Sequence, residues 1–438
     1  MSIERYATSM STLFSDEQKF KRWADVEIAL LKAHVEVGNI EGKEIDFKEL
    51  KHARDKLDPQ RVKEIEEEIH HDLMALVKAL AELAPQSSRF LHMGATSYDI
   101  EDTATAVLFK DAFAMLEKEL NSTLAILKKL AKKHQDTVCI GRTHGQHAIP
   151  TTYGMKFALY YSDFARCKQR IQDSKKRILV GKMSGAVGTM ASFQGKGIVI
   201  EKLVMKHLGI KPSPICNQVV QRDLHAEALC TLAYIASIAE KIAKEIRNLQ
   251  RTDIGEVIEG FSKRQVGSST MPHKMNPHKS ERICSLAKLI RSNVSVALEN
   301  IALEHERDLT NSANERFILP QSFVLTHYII LQLNSLLKNM TIFKQKALEN
   351  LWKTKGLIFT ERIMLELTKK GMDRQEAHEL MRVLAQECYA TGKELKAIIK
   401  ENKTISGLLS NQEIENLFNP LTYLGNHKEL INRALKNA

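Results

Sequence analysis

Glycine and proline are scarce, with 20 and 9 residues in a chain of 438, against roughly 7% and 5% in ordinary proteins. So few turn-formers allow few sharp reversals and favour long helices. The six cysteines, Cys139, Cys167, Cys216, Cys230, Cys284 and Cys388, never approach CxxC spacing. They read as reduced, mostly buried thiols, which excludes a disulfide frame and a cysteine zinc site. The opening residues Arg5 and Tyr6 and their neighbours lack the apolar core of a signal peptide. A long uncharged run from Phe317 to Leu337 is interrupted by Pro320, Gln321, His327, Gln332 and Asn334, so it reads as a buried helix and not a membrane span. The expectation is a cytoplasmic protein with no membrane partner.

Net charge is +11, but the basic residues are interleaved with acids, as in Glu117-Lys118-Glu119. Mixed signs of this kind mark solvated helix faces. No zinc finger or arginine-rich tail supports binding to nucleic acid. The residual positive field suits a small polyanionic substrate.

What the chain has in abundance is helical periodicity. Leu229, Leu232, Ile235, Ile238, Ile242, Ile246 and Leu249 recur at steps of three and four, and Phe113, Leu116, Leu120, Leu124, Leu127, Leu130 and Ala131 form a second stripe. Further stripes run from Ile283 to Leu303 and from Phe323 to Leu348. With no credible alternating strand between them, the fold class is all-α, a bundle with its sites between facing helices. After Leu348 the helices shorten, with starts near Asp373 and Asn411. The division expected is an N-terminal helical domain over 1–96, a central long-helix bundle over 97–348 and a C-terminal helical domain over 349–438.

The punctuation is local, and such loops carry function more often than the helices they join. Residues 267–277, Gly-Ser-Ser-Thr-Met-Pro-His-Lys-Met-Asn-Pro, combine two serines, a lysine and exposed backbone N–H groups. A serine acts as a base only if its pKa is lowered, which nearby positive charge and N–H donors accomplish. The alternative is a capping loop into a helix starting near Ser280. The segment is no P-loop, since the spacing and the preceding strand are missing, and the glycines at 185, 188, 195 and 197 make no dinucleotide fingerprint. His71, His92, His144 and His147 supply groups that titrate near neutrality. His144 and His147 are spaced to share a helix face, but no HExxH or carboxylate at ligand spacing accompanies them, so no metal is expected. Thr96 and Ser97 place two hydroxyls after Gly94, and Arg307, Ser312 and Arg316 surround a polar turn. Arginine's planar fork suits carboxylate or phosphate, although exposed ion pairs with Glu304, Glu306 and Glu315 are the plainer use.

Taken together these residues resemble the fumarase/aspartase superfamily of lyases, whose signature GSSxMPxKxNP is matched at every fixed position of 267–277. The likeness extends over nearly the whole chain, including Thr143-His144-Gly145-Gln146 and Gly94-Ala95-Thr96-Ser97. Within the superfamily, Arg5-Tyr6, His71-Asp72, Ser280-Glu281-Arg282 and the Arg307–Arg316 segment are similar to the branch acting on succinylated purine nucleotides; the cycloisomerase branch carries a similar loop. The resemblance implies release of fumarate in two steps of purine biosynthesis, with no cofactor. It also implies a homotetramer whose active sites are each shared among three subunits. By the same resemblance Ser268 is the base with Ser269 beside it, and His144 the acid oriented by Glu281. His71 is its rival, bonding near the departing nitrogen or to the phosphate. Lys274 and Asn276 hold a succinyl carboxylate with Thr96 and Ser97. Arg5, Tyr6, Arg307, Ser312 and Arg316 contact the nucleotide, and His92, Gln218 and Arg282 complete the substrate-binding set. Two positions depart from the pattern: His70 doubles the histidine before Asp72, and Gln321 stands where an acid is more usual.

Overall fold

A computed structural model describes residues 4–436 apart from 262, 263 and 265. Long helices dominate it: Ser97–Lys133, Tyr153–Ile178, Arg222–Leu249, His278–Glu299 and Ser312–Asn339. At 37 residues the first spans about 55 Å at 1.5 Å per residue. Both apolar stripes bury as their spacing requires. Leu229, Leu232, Ile235, Ile242 and Leu249 are buried on one helix, and Phe113, Leu116, Leu120, Leu127 and Ala131 on another. Pro320 lies inside the Ser312–Asn339 helix, so the uncharged run is a buried helix as its polar interruptions indicated. Among the described residues no helix is long and apolar enough to cross a membrane.

The periodicity overran two helix ends. The stripe ending at Leu303 stops as a helix at Glu299, where the Asn300 and Asn314 side-chain amides bond reciprocally. The stripe ending at Leu348 breaks after Asn339 because Thr341 and Ile342 pair with Ile258 and Val257 as short strands. The starts near Asp373 and Asn411 hold. The Asp373 carboxylate accepts from Gln375 and Glu376 N–H, and Ser410 and Glu413 form a reciprocal capping box.

The expectation of no strand fails at residues 138–152. Val138–Thr143 (β1) and Gln146–Thr152 (β2) form an antiparallel hairpin with Thr143 opposite Gln146. His144 and Gly145 alone make the turn, with φ of 54° and 75°; two successive left-handed residues are what a type I′ turn demands. His144 and His147 therefore share no helix face. The β-branched residues Val138, Ile140, Thr143, Ile149, Thr151 and Thr152 favour the extended form, and a register shift at Gly141 hides their alternation.

Contacts group the chain into two compact units, each built from three separate stretches. The first comprises Met1–Asn121, Cys167–Glu240 and Arg282–Gln332; the second comprises Ser122–Arg166, Lys241–Glu281 and Leu333–Ala438. The first has a core including Phe20, Trp23, Leu30, Leu73, Leu76, Ile100, Met183 and Ile200. In the second, Val138 and Ile140 of the hairpin pack with Leu351, Phe359, Ile363, Leu384 and Leu395. Cys139, Cys167, Cys284 and Cys388 are buried thiols, and Cys216 and Cys230 are half-buried.

Candidate active site

In the second unit the serine loop is held by its own backbone. Ser268 Oγ accepts from the N–H groups of Met271 (3.1 Å) and Thr270 (3.4 Å). These are the donors that stabilise an alkoxide and lower a serine's pKa. The loop closes where Asn276 Nδ2 donates to Gly267 O at 2.9 Å, and Gln250 Nε2 donates to Met275 O at 2.9 Å. Only glycine fits at 267, because a Cβ there would lie 2.3 Å from Lys274 O. Ser269 and Lys274 are exposed and Ser268 is half-buried. One of the two Asn276 amide hydrogens is thus spent on the loop itself.

Beyond the loop, the N-terminus of the His278–Glu299 helix is capped by the buried Glu259 carboxylate. It accepts from Lys279 N at 3.0 Å, Ser280 N at 3.1 Å and Ser280 Oγ at 3.0 Å. Glu281 is exposed in the first turn of that helix. The capping role expected as the plain alternative therefore falls to Glu259, which leaves Ser268 Oγ outside it. His144 is exposed at the tip of the hairpin. The hairpin is anchored on buried Glu256, which receives Arg142, Tyr153 Oη at 2.7 Å and Asn350 Nδ2 at 2.9 Å. Burial beside this carboxylate pushes the Tyr153 phenol well up, so it remains a donor.

The first unit holds the arginines and the other hydroxyls. His71 caps the Asp72–Leu83 helix, its Nδ1 accepting from Met74 N–H at 3.4 Å. An accepting Nδ1 places the proton of the neutral ring on Nε2, which lies 3.4 Å from Ser97 Oγ. Asp72 takes Arg316 at 2.7 Å. Burial raises the Asp72 carboxyl, but Arg316 outweighs it and holds the pKa below the usual range. Thr96 N–H donates to Asp99 at 2.8 Å. Asp99 also receives Lys182 in a fully buried ion pair, together with Ser184 N–H at 2.9 Å. Arg307 Nη1 donates to Gln218 Oε1 at 2.9 Å, and its guanidinium lies over the Tyr98 ring. Arg282 donates to Tyr328 Oη at 3.0 Å, and the Tyr328 ring packs edge-on against Tyr6. Arg5 is exposed on the same first turn as Tyr6.

His92 is held by an acid of its own. Its N–H and Nδ1 both engage the buried Glu27 carboxylate, at 2.8 and 2.7 Å. Burial lowers its pKa, but Glu27 outweighs that and raises it. Sequence reasoning missed the supporting acids altogether. Asp99 and Asp102 sit three apart just after Ser97, a spacing that could have marked one inward helix face. Asp102 binds buried Arg222 through two hydrogen bonds, at 2.8 and 3.0 Å. Burial raises the Asp102 carboxyl and Arg222 more than reverses it. Among the described residues no cluster of His, Cys, Asp and Glu could hold a metal ion.

Comparison with known proteins gives the chemical class. The family model described as lyase matches residues 1–291, which makes the chain a lyase. A second model, described as adenylosuccinate lyase C-terminus, matches residues 356–434. The chain belongs to the adenylosuccinate lyase family. Proteins of that name from Pyrococcus abyssi and Methanothermobacter thermautotrophicus are 49% and 45% identical to it. The first match covers 98% of this chain and 96% of the relative, the second 99% and 97%. The relative from Aquifex aeolicus is 40% identical over 97% of each chain. Two solved structures share the fold over 98% of both chains with TM-scores of 0.90. One is a fumarate lyase from Mesorhizobium sp. BNC1 at 27% identity; the other is a β-carboxy-cis,cis-muconate cycloisomerase from Acinetobacter calcoaceticus sp. ADP1 at 28%.

Proposed function

We propose that the chain eliminates fumarate from adenylosuccinate, giving AMP, and from the succinylated aminoimidazole carboxamide ribonucleotide, giving the carboxamide ribonucleotide. Ser268, as its alkoxide, takes the proton from Cβ of the succinyl group. The electron pair moves onto the adjoining carboxylate, then returns to form the carbon–carbon double bond as the C–N bond breaks. His144 gives the departing nitrogen its proton. Charge grows on the carboxylate only as the proton leaves, so donors aimed at it act on the transition state more than on the ground state. Lys274 and the remaining Asn276 N–H fill that role with Thr96 and Ser97. His71, with its proton on Nε2, serves as a hydrogen-bond donor beside the site, and Arg307, Ser312 and Arg316 receive the nucleotide with Arg5 and Tyr6.

The observation that carries this reading is the pair of backbone N–H groups directed at Ser268 Oγ inside a complete signature loop. A homotetramer with each site shared among three subunits accompanies it. Exposed Tyr234, Leu289, Leu298 and Phe317 on the long helices of the first unit support that assembly, and six thiols suit a cytoplasmic setting. Offered each substrate without added metal, the purified tetramer should release fumarate and the matching nucleotide in equal amounts. No fumarate from folded tetramer would refute the proposal, and turnover of a muconate in its place would assign the chain to the cycloisomerase branch.

A further inference from the structure

Among the arginines of the first unit, Arg307 is held differently from its neighbours. Arg316 is paired with Asp72, and Arg222 with Asp102 and Glu315. Among the described residues no ion pair holds Arg307. Its guanidinium lies instead 3.7 Å from the centroid of the Tyr98 ring, and Gln218 Oε1 accepts from one edge. Gln218 is fixed in turn by donating from Nε2 to Ala186 O at 2.9 Å. The Arg307 Nε N–H is buried and meets no acceptor among the described residues. Tyr98 is only 6% exposed. Burial pushes the phenol up to about 12, so the hydroxyl stays protonated through the working range.

We propose that Tyr98 is a positioning residue for phosphate recognition, its ring face orienting Arg307 to receive the substrate's 5′-phosphate. The proposal rests on the reading of Arg307 as a nucleotide contact. Its physical basis is that a carboxylate would orient an arginine by neutralising it, whereas an aromatic face orients the guanidinium and leaves its charge for the ligand. Of the five N–H donors of the fork, the Gln218 bond uses one. Holding the side chain in place beforehand also removes the ordering cost that binding would otherwise carry. The neighbouring Arg222 lies 5.5 Å from the same ring, but its donors are committed to the acids.

The test compares adenylosuccinate with its nucleoside, which lacks the phosphate. Tyr98→Leu should raise KM for the nucleotide about 5- to 30-fold, the range of a desolvated cation–ring contact. It should leave kcat within about threefold and kcat/KM for the nucleoside unchanged. Tyr98→Phe keeps the ring and should recover most of the loss. A Tyr98→Phe loss of about tenfold or more would overturn the proposal even if the Leu variant did not fold, because the ring face is kept. A parallel loss on nucleotide and nucleoside, or a KM unmoved by Tyr98→Leu, would overturn the proposal. Arg307→Ala separates the two levels. If it leaves the preference for the phosphorylated substrate intact, the underlying assignment fails and the proposal with it. If it removes that preference while Tyr98→Leu does nothing, the proposal alone fails.

Discussion

The serine loop and the arginine wall solve opposite problems. The loop is exposed over Ser269–Met275 and is held by backbone carbonyls, two side-chain amides and one glycine that nothing else can replace. The wall is held by charge: Asp99 with Lys182, Asp102 with Arg222, and Asp72 with Arg316. The first two pairs are buried, so they are costly to break and fix a unique geometry, which suits the anion-recognising role proposed for this surface. A backbone-held loop keeps its serine free of competing side chains, which suits the base proposed at Ser268.

The comparison breaks most visibly at Arg222. Arg222→Ala leaves the buried Asp102 carboxylate without its partner and should cost about 3–5 kcal/mol of stability, read from denaturant unfolding. Because Arg222 holds the Asp102 pKa below its ordinary value of 3.8, the wild-type contribution is present above about pH 4 and is lost as pH falls through the lowered folded value. The wild-type advantage should therefore shrink in acid; an advantage independent of pH would contradict the assignment. Next in size, Gly267→Ala pushes a Cβ against Lys274 O and should displace Ser268. We expect kcat to fall about tenfold to hundredfold with the melting temperature almost unchanged, whereas an equal loss of stability would make Gly267 a packing residue.

Smaller effects sharpen the wall. Burial, with Asp72 and Asp102 nearby, pushes the Glu101 carboxyl up to about 8. A raised carboxyl contributes stability that is whole below the unfolded value and lost as pH rises through the folded one. Glu101→Gln should therefore gain on the order of 1–2 kcal/mol over wild type at pH 9, with the gain vanishing near pH 4. A gain that did not change with pH would mean that Glu101 does not titrate in this range. Asp72→Asn should cost about 1 kcal/mol and raise KM through a less constrained Arg316; a change in kcat alone would refute that role.

Much of the loop and the helices was legible in the sequence, because a stripe at steps of three and four or an eleven-residue signature is local. The hairpin was not. Its alternation is short and shifts register at Gly141, and His144 reads as a helix residue until Gly145 is seen to share a left-handed turn with it. The buried acids were missed for another reason. Asp102 and Arg222 lie 120 residues apart, and Glu256 and Arg142 lie 114 apart, so no window of sequence contains both partners. Tyr98 escaped notice because a tyrosine at the start of an apolar helix looks like core, and only Arg307 on its face gives it a task. His92 shows the same limit of distance, since its Glu27 partner lies 65 residues away.

The most direct measurement pairs binding with single-turnover chemistry in Ser268→Ala. If the wall recognises substrate and the loop supplies the base, adenylosuccinate should bind the variant within about threefold of wild type while fumarate formation falls about a thousandfold or more. Fumarate formation within tenfold of wild type, or binding lost together with turnover, would contradict the account.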